Sequence, residues 1–389
     1  MIITPKIRNN ICMNAHPVGC ERETLNQIEY VRSKGKFSGP KTALVVGSST
    51  GYGLASRISL AFGAGADTIG VFFEKEGSDK RPGTPGYYNN RALEKAAREA
   101  GLKADSVNGD AFSHGVKKQV IDLIKEKYGS IDLVIYSLAS PVRVDPDTGE
   151  MYRSVLKPLK GTYTAKSVNA MTGEVSEASI EPANQEELEA TVKVMGGEDW
   201  QLWIRALRDA GVLSEGAMSV AYSYIGPEVT YAVYREGTIG KAKEHLERSA
   251  SEISEILDPL KGKAFVSVNK ALVTRASAVI PVVPLYMSIL YKVMKNKGIH
   301  EGCIEQMYRL FTQRLYTQGE IPVDDEGRIR VDDWEMRPDV QEEITKLWEQ
   351  VDSGNIEEIG DMDGYREDFL RLNGFNVPGV DYDAEVNDF

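Results

Sequence analysis

The chain has 389 residues, 42% of them hydrophobic and 27% charged, which is the composition of a globular protein with a substantial core. Its formal net charge of -12 argues against nucleic-acid binding, because affinity for a phosphate backbone depends on clustered lysine and arginine. The three cysteines, Cys12, Cys20 and Cys303, have no CxxC spacing, so we expect no disulfide framework, no cysteine zinc site and a reducing cytoplasm.

Neither export nor membrane insertion is expected. The amino terminus, Met1 to Arg8, lacks the apolar core and the cleavage site of a signal peptide. The longest apolar stretch, Ala278 to Leu290, has about 13 residues and two prolines, whereas a membrane-spanning helix needs roughly 20 residues. It is either a core helix or, as we favour, a helix of which part lines the substrate pocket.

Apolar runs alternate with helical patterns along the first part of the chain. Strands are predicted at 41–47, Thr68–Phe73, Ala104–Asn108 and Ile131–Ser137, and helices at Leu54–Phe62, Asn90–Ala100 and Val116–Lys127. This alternation predicts an α/β fold with a doubly wound parallel sheet of the Rossmann type.

Residues 145–181 break the alternation. Turn signals at Asp147-Thr148-Gly149 and Met171-Thr172-Gly173 predict a β-hairpin excursion from the sheet. Helices are then predicted at Glu186–Met195 and Trp200–Ala210, and strands that rejoin the sheet at Met218–Tyr224 and Ala264–Asn269. Because no stretch has the composition of a linker, we predict one domain over 1–389, with its core in about 41–140 and 215–275 and C-terminal helices in about 276–389. The acidic end from Asp361 is expected to be a surface-packed tail.

A glycine turn joins the first strand to the first helix: Gly47-Ser48-Ser49-Thr50-Gly51-Tyr52-Gly53. Glycine lets the backbone tighten there and approach a pyrophosphate, while the helix directs its first N–H groups at the charge. The spacing is GxxxGxG rather than GxGxxG, and a plain tight turn is the alternative. The strand before the turn and the helix after it favour a dinucleotide site.

Glu74 directly follows the second predicted strand, about 20 residues beyond the last turn glycine. An acid there accepts hydrogen bonds from the adenosine ribose and repels a 2′-phosphate, so we predict NADH rather than NADPH. Lys75, Lys80 and Arg81 are close enough in sequence to weaken this discrimination. A solvated acid at a strand end is the alternative.

Two further pairs follow strands of the predicted sheet: Asp110-Ala111 and Leu138-Ala139. Ligands of open α/β sheets bind at the carboxyl ends of the strands. We therefore expect these residues to border the adenine and its ribose.

Residues 222–243 read YSYIGPEVTYAVYREGTIGKAK, a strand end, a loop and then a helix beginning near Gly237. Hydride addition to an enoyl thioester places charge on the thioester oxygen, which a phenol can bind and a nearby cation can support by lowering the phenol pKa. Tyr234 is followed by both Lys241 and Lys243, and spacing alone does not choose between them. Simple packing of the four tyrosines is the alternative.

Ten blocks in order resemble the trans-2-enoyl-CoA reductase family, which includes the type V enoyl-acyl carrier protein reductases. They are HPVGCE (16–21), GSSTGYGLASR (47–57), YNN (88–90), DAFS (110–113), YSLASP (136–141), MGGEDW (195–200), AYSYIGPE (221–228), GTIGKAK (237–243), FVSVNKALVT (265–274) and LNGF (372–375). The resemblance implies an elaborated Rossmann sheet with a lid and extra helices, NADH as cofactor and a monomer.

The family's site residues carry over onto matching positions only. The resemblance implies that Tyr234 is the proton donor or enolate stabiliser, that Lys243 binds the nicotinamide ribose and that Tyr224 contacts the substrate carbonyl. It also implies that Leu272-Val273-Thr274 lies beside the nicotinamide carboxamide and that Phe73-Glu74 reads the ribose. Arg235-Glu236 departs from the aromatic or histidine residues that often follow the family's tyrosine.

The predicted reaction is NADH-dependent reduction of the 2,3 double bond of a trans-2-enoyl thioester such as crotonyl-CoA, in fatty acid synthesis or butyrate-type fermentation. The acyl carrier is left open between coenzyme A and acyl carrier protein, although the net acidity disfavours an acidic carrier protein. A short-chain carbonyl reductase and a dinucleotide-binding regulator without catalysis are the alternatives. The four histidines fit no metal-ligand spacing, so no metal is predicted.

Overall fold

The computed structural model describes residues 1–8, 11–78, 80–277, 280 and 282–387. Its strands are β1 (Ile7–Arg8), β2 (Ile11–Cys12), β3 (Thr42–Val46), β4 (Asp67–Phe72), β5 (Ala104–Asn108), β6 (Ile131–Tyr136), β7 (Val142–Val144), β8 (Met151–Arg153), β9 (Tyr163–Val168), β10 (Val175–Ile180), β11 (Leu213–Ser223), β12 (Lys263–Val268) and β13 (Ile329–Arg330). Its α-helices are α1 (Pro17–Lys34), α2 (Gly51–Ile58), α3 (Pro85–Glu99), α4 (His114–Leu123), α5 (Gln185–Met195), α6 (Glu198–Asp209), α7 (Thr238–Leu257), α8 (Val283–Asn296), α9 (Cys303–Leu310), α10 (Pro338–Gln350), α11 (Ile356–Ile359) and α12 (Met362–Arg371).

Seven strands form the central sheet in the order β13-β12-β11-β6-β3-β4-β5, and every neighbouring pair is parallel. The interior strand β3 is buried throughout, as expected for a parallel sheet covered by helices on both faces. The doubly wound Rossmann-type fold is therefore confirmed. All carboxyl ends of the parallel strands lie at one edge, where the predicted site residues follow β3, β4, β5, β6, β11 and β12.

Apolar side chains pack in three layers around this sheet. One face is covered by α1, α2, α3 and α9, with Ile58, Leu93 and Phe311 in its core. The other face is covered by α4, α6 and α7, with Trp203 and Ile253 in its core. A third cluster, around Tyr286, Met294 and Tyr365, joins α8, α10 and α12 to residues 271–273 beyond the end of β12. This third layer adds a wall beside the ligand edge of the sheet.

Residues 142–180 form two antiparallel hairpins, β7 with β8 and β9 with β10. Each encloses one of the two predicted turns, and Gly149 and Gly173 have φ of 76° and 73°. This left-handed conformation is open to glycine at little cost, which is why the turn signals were readable in the sequence.

Several element boundaries differ from the predictions. Strand β11 begins at Leu213 rather than Met218. Its pairing with β6 is interrupted between these two residues, and the polar run Ser214-Glu215-Gly216 gives its first half no apolar strand pattern in the sequence. Helix α1 was not predicted. Its start signal is nevertheless present, since the His16 side chain accepts a hydrogen bond from Gly19 N at 3.1 Å and Pro17 occupies the first turn.

The acidic carboxyl end is more deeply packed than predicted. Tyr365 and Phe369 of α12 are buried, and Phe375 and Val386 pack against Ile3 from the amino terminus. The segment from Asp361 therefore does more than pack on the surface, because regularly spaced apolar residues within the acidic sequence reach the core.

The apolar stretch that was predicted between Ala278 and Leu290 lies inside the protein where it is described. Residues 282–290 are buried and most of them form the start of α8, whereas Ala278, Val279 and Pro281 lie outside the described residues. Across the described ranges, no helix combines the length and hydrophobicity that crossing a membrane requires.

Candidate active site

The glycine turn is held between the ends of β3 and β4. Gly47 has φ of 87°, and a Cβ atom there would lie 2.4 Å from Ser137 O. A Cβ atom on Gly53 would lie 1.8 Å from Gly47 O, so neither position has room for a side chain. Thr50 makes no side-chain hydrogen bond to the first turn of α2. The arrangement is the close, donor-bearing cradle that a pyrophosphate needs.

The serines of the turn have different partners. Ser48 is fully buried, and its N and Oγ both donate to Val71 O, so it fastens the turn to β4. Ser49 Oγ donates to Glu74 Oε1 at 2.8 Å. Tyr52 OH donates to Lys270 O at 2.6 Å, which ties the turn to the segment after β12.

Glu74 is placed beside the turn, as predicted. Its carboxylate also receives Arg275 Nη1 at 3.3 Å, and its backbone pairs with the side-chain amide of Asn108 at the end of β5. Only 6% of the Glu74 side chain is exposed, whereas Phe73 is 78% exposed. The acid is thus oriented at the edge of the dinucleotide cradle, and the neighbouring aromatic ring is free to cover a base.

Asp110-Ala111 and Leu138-Ala139 follow β5 and β6 at the same edge of the sheet. Asp110 Oδ1 accepts a hydrogen bond from Phe112 N, and Ala111 O accepts from Lys117 Nζ and Trp203 Nε1. Leu138 is half-buried and Ala139 is exposed. These contacts fix the backbone of the first pair and leave the second pair accessible.

Tyr224 and Tyr234 meet edge to face, with ring centroids 5.0 Å apart and planes at 86°. Both are partly buried beside the third apolar cluster. Burial raises the pKa of Tyr234 to about 12. In the free chain burial is the cause of this shift, and the lowering of this pKa by a nearby cation stays a prediction. A neutral phenol at physiological pH keeps its proton available for donation.

The two candidate lysines lie in different surroundings. Lys243 Nζ donates to Tyr222 O at 3.4 Å, at the carboxyl end of β11. Burial lowers the pKa of Lys243 to about 8, against the opposing charge of Glu247. Lys241, in contrast, is 45% exposed and pairs with Glu244 at 2.9 Å. The structure therefore places Lys243, and not Lys241, at the ligand edge.

Arg235, the charged residue that follows Tyr234 in the sequence, is held in ion pairs. Its guanidinium pairs with Glu247 at 3.4 Å and with Glu326 at 3.7 Å. Glu247 is also the carboxylate that opposes the lowering of the Lys243 pKa. Arg235, which departs from the family pattern, therefore takes part in an ion-pair cluster with residues of α7 and of the segment before β13.

Leu272-Val273-Thr274 runs alongside the glycine turn. A Cβ atom on Gly51 would lie 3.5 Å from Thr274 Cγ2, so the two segments are in contact distance. Val273 N donates to Tyr291 OH at 3.1 Å, and Leu272 O accepts from Ser277 Oγ at 2.7 Å. These bonds fasten the segment beside the cradle.

A buried carboxylate that sequence reasoning missed lies behind Tyr224. Glu335 Oε1 accepts hydrogen bonds from Tyr224 OH at 3.1 Å and Tyr286 OH at 2.7 Å, while Oε2 accepts from Ala271 N at 2.8 Å. Burial raises the pKa of Glu335, and the charge of Lys270 opposes that shift. Glu335 is 111 residues from Tyr224, and no local motif marks it.

Within the described residues, no group of three or more histidine, cysteine, aspartate or glutamate side chains is arranged to hold a metal ion. The fold, the glycine cradle and the Tyr and Lys side chains at its edge define the class: a Rossmann-type dinucleotide-binding protein with the side chains of a reductase.

Comparison with known proteins identifies the family. The trans-2-enoyl-CoA reductase catalytic region matches residues 81–316, the NAD(P)H binding domain of trans-2-enoyl-CoA reductase matches 2–79, and the enoyl reductase FAD binding domain matches 323–386. An enoyl-acyl-carrier-protein reductase (NADH) of Cytophaga hutchinsonii is 61% identical over 388 residues, covering 100% of this chain and 98% of the relative. A trans-2-enoyl-CoA reductase (NADH) of Ruminiclostridium cellulolyticum is 56% identical over 387 residues, with coverage of 100% and 98%.

A solved structure agrees with these relatives. The crystal structure of Treponema denticola trans-2-enoyl-CoA reductase in complex with NAD matches with a TM-score of 0.97 and 57% identity, covering 100% of this chain and 99% of that chain. The chain belongs to the trans-2-enoyl-CoA reductase family, which confirms the resemblance seen in the sequence.

The third family model is named for flavin binding, but residues 323–386 do not fit a flavin dinucleotide. A pyrophosphate needs a glycine turn and free N–H groups after a strand. Strand β13 is instead followed by Asp332, Asp333 and Glu335, with no glycine before α10 begins. These carboxylates are paired with Arg330, Arg309 and the two tyrosines, and their charge would repel a pyrophosphate.

Proposed function

We propose that the protein reduces the 2,3 double bond of trans-2-enoyl thioesters to the saturated acyl thioester, with NADH as cofactor. The observation that carries the proposal is the Tyr224–Tyr234 pair, which lies with Lys243 at the ligand edge of a sheet whose glycine turn fits a pyrophosphate. Membership of the trans-2-enoyl-CoA reductase family supports the same reaction.

Each side chain has a defined task in this proposal. Bound NADH supplies a hydride to the β-carbon of the enoyl group. Tyr234 donates a hydrogen bond to the thioester oxygen, where negative charge develops, and Tyr224 lies against the same carbonyl. Lys243 holds the nicotinamide ribose. A proton from solvent water then adds at the α-carbon of the enolate, which completes the saturated acyl thioester.

The proposed cofactor contacts lie along the glycine turn and the strand ends beside it. We propose that Gly47, Ser48, Ser49, Thr50, Gly51 and Tyr52 surround the pyrophosphate, that Phe73, Glu74, Asp110, Ala111, Leu138 and Ala139 border the adenosine, and that Leu272, Val273 and Thr274 lie along the carboxamide. Burial of Ser48, together with the donation of its N and Oγ to Val71 O, supports a structural task for this residue in holding the turn. The position of Glu74 beside Ser49 supports recognition of the ribose hydroxyls.

Glu74→Ala is expected to lower the NADH-to-NADPH ratio of kcat/KM by about tenfold or more, because both ribose hydrogen bonds and repulsion of a 2′-phosphate are lost. The measurement is steady-state kinetics with both cofactors. Glu76→Ala, an exposed acid in the same loop, is the matched control and should leave the ratio unchanged. An unchanged ratio in Glu74→Ala would assign the discrimination elsewhere.

NADH binding is expected to weaken as the pH rises through about 8, where Lys243 loses its proton. Below this pKa the lysine is a cation and its attraction to the cofactor is present, whereas above it that attraction falls by up to about tenfold per pH unit. Titration of NADH binding at about pH 7 and about pH 9 measures the effect. Lys243→Met should abolish the dependence. Its persistence in that variant would assign it to Lys270, whose pKa is also lowered to about 8 by burial.

An assay of NADH oxidation separates this function from its alternatives. Crotonyl-CoA should be reduced, whereas a simple ketone should not, because the site is proposed to stabilise an enolate rather than an alkoxide. Reduction of the ketone alone would indicate a carbonyl reductase. If NADH is oxidised neither with these two compounds nor with any other 2-enoyl thioester, the remaining alternative is a non-catalytic dinucleotide-binding regulator.

The carrier is assigned by the same assay with crotonyl thioesters of coenzyme A and of acyl carrier protein, because the family's curated relatives include both kinds of enzyme. We further propose that the protein acts as a monomer in a reducing cytoplasm. Its three cysteines are all unpaired, which supports that compartment. Light scattering on the purified chain tests the monomer.

A further inference from the structure

The C-terminal segment of the chain delivers one acid to the site described above. Glu335 is fully buried and lies between the end of β13 and the start of α10. It approaches from the third apolar layer and contacts the segment after β12 through Ala271 N. Its carboxylate also accepts a hydrogen bond from Tyr224 OH.

The hydrogen bonds around Glu335 restrict where the protons lie. The Ala271 N–H can only donate, so Oε2 acts as an acceptor. Oε1 accepts hydrogen bonds from the hydroxyls of Tyr224 and Tyr286. Gln341 Nε2 donates to the main-chain carbonyl oxygen of Glu335 at 2.7 Å, which holds the backbone of the residue in place. A carboxylate with three donors is well satisfied. Burial raises the pKa of Glu335, and the buried ammonium of Lys270 opposes that rise.

This arrangement has a consequence for the two tyrosines. A phenol carries one proton, and that of Tyr224 is committed to Glu335. Tyr224 is held in one orientation against the ring of Tyr234 and does not compete with it as a donor.

We propose that Glu335 is a positioning residue of the enoyl reduction: by accepting a hydrogen bond from the Tyr224 hydroxyl it fixes the Tyr224 ring and leaves Tyr234 as the donor to the developing oxyanion. The inference rests on the proposed function. It gives residues 323–386 a task at the active site that involves the substrate tyrosines.

The test is a double-mutant cycle on kcat with a crotonyl thioester and saturating NADH. In Glu335→Gln the amide oxygen still faces Ala271 N, so the amide NH₂ is directed at the two phenols and reverses the hydrogen bond to Tyr224. We expect kcat to fall by about 10- to 100-fold in the wild-type background, but by no more than about twofold in a Tyr224→Phe background. The NADH dissociation constant should be unchanged in both.

A matched control separates positioning from general destabilisation. Asp333→Asn alters the same segment by weakening the ion pairs with Arg309 and Arg314. It should lower the melting temperature without coupling to Tyr224. Glu335→Asp, which keeps the charge but shortens the reach, gives a second variant if Glu335→Gln does not fold, and it should show the same coupling.

The outcomes are distinct. An equal loss in the Tyr224→Phe background, or full activity of Glu335→Gln, would overturn the positioning role while wild-type turnover upheld the proposed function. Absence of turnover by the wild-type protein on every enoyl thioester would instead refute the proposed function itself.

Discussion

Tyr234→Phe is expected to lower kcat for a 2-enoyl thioester by about 100-fold or more, because it removes the phenol proton that stabilises charge on the thioester oxygen. The dissociation constant of NADH should stay within about twofold, since the lost group acts on the transition state rather than on the cofactor. Steady-state turnover and fluorescence titration of NADH measure the two quantities.

The control for this prediction comes from the same segment. Tyr231→Phe removes another phenol three residues earlier and should retain most of the activity. Near-normal kcat in Tyr234→Phe, with a loss in Tyr231→Phe, would move the donor role to the other tyrosine.

Lys243→Met is expected to weaken NADH binding by about 10- to 100-fold, because a buried charge-assisted contact to the cofactor is lost. Lys241→Met is its matched control. This second lysine lies two residues earlier on α7, is 45% exposed and is paired with Glu244, so its replacement should change NADH affinity by less than about twofold.

Calorimetric titration of NADH into both variants decides between the two spacings that the sequence left open. Tight binding of NADH to Lys243→Met together with weak binding to Lys241→Met would contradict the assignment of the cofactor contact to Lys243, whose Nζ lies at the carboxyl end of β11.

The parts of the site that were predictable are those with a local signature. The glycine turn follows from short-range geometry, since Gly47 and Gly53 have no room for a side chain. Strands β3, β4 and β6 are short, largely buried runs, and their alternation with helical patterns indicates the parallel sheet. Glu74 was found because it directly follows a strand, beside the predicted turn.

Other parts depend on contacts between distant segments. Glu335 reaches Tyr224 across 111 residues, and its sequence surroundings indicate only an acidic loop. Lys270 is buried with a pKa lowered to about 8, although it stands at an unremarkable position after β12. The spacing around Tyr234 could not choose a lysine either, because both candidates are on α7 and only packing buries one of them.

Buried polar groups also explain why α2 is anchored so firmly. Arg57 is fully buried, and its guanidinium donates to Thr68, Asn90, Ser106 and Asp105 O. These bonds fasten the helix that follows the glycine turn to β4, β5 and α3. The sequence block from Gly47 to Arg57 therefore combines a cofactor cradle with its own anchor.

The roles of the individual site residues stay predictions, and so does the organisation of the chain as a single domain.

The most direct test of the account follows the hydride. The protein is incubated with crotonyl-CoA and NADH that carries deuterium at the transferable position of the nicotinamide, and the product is analysed by mass spectrometry and NMR. We predict a butyryl thioester with one deuterium on the β-carbon and none on the α-carbon, where the proton is added. Deuterium on the carbonyl carbon of a reduced aldehyde or alcohol, or an acyl chain without label, would contradict enoyl thioester reduction.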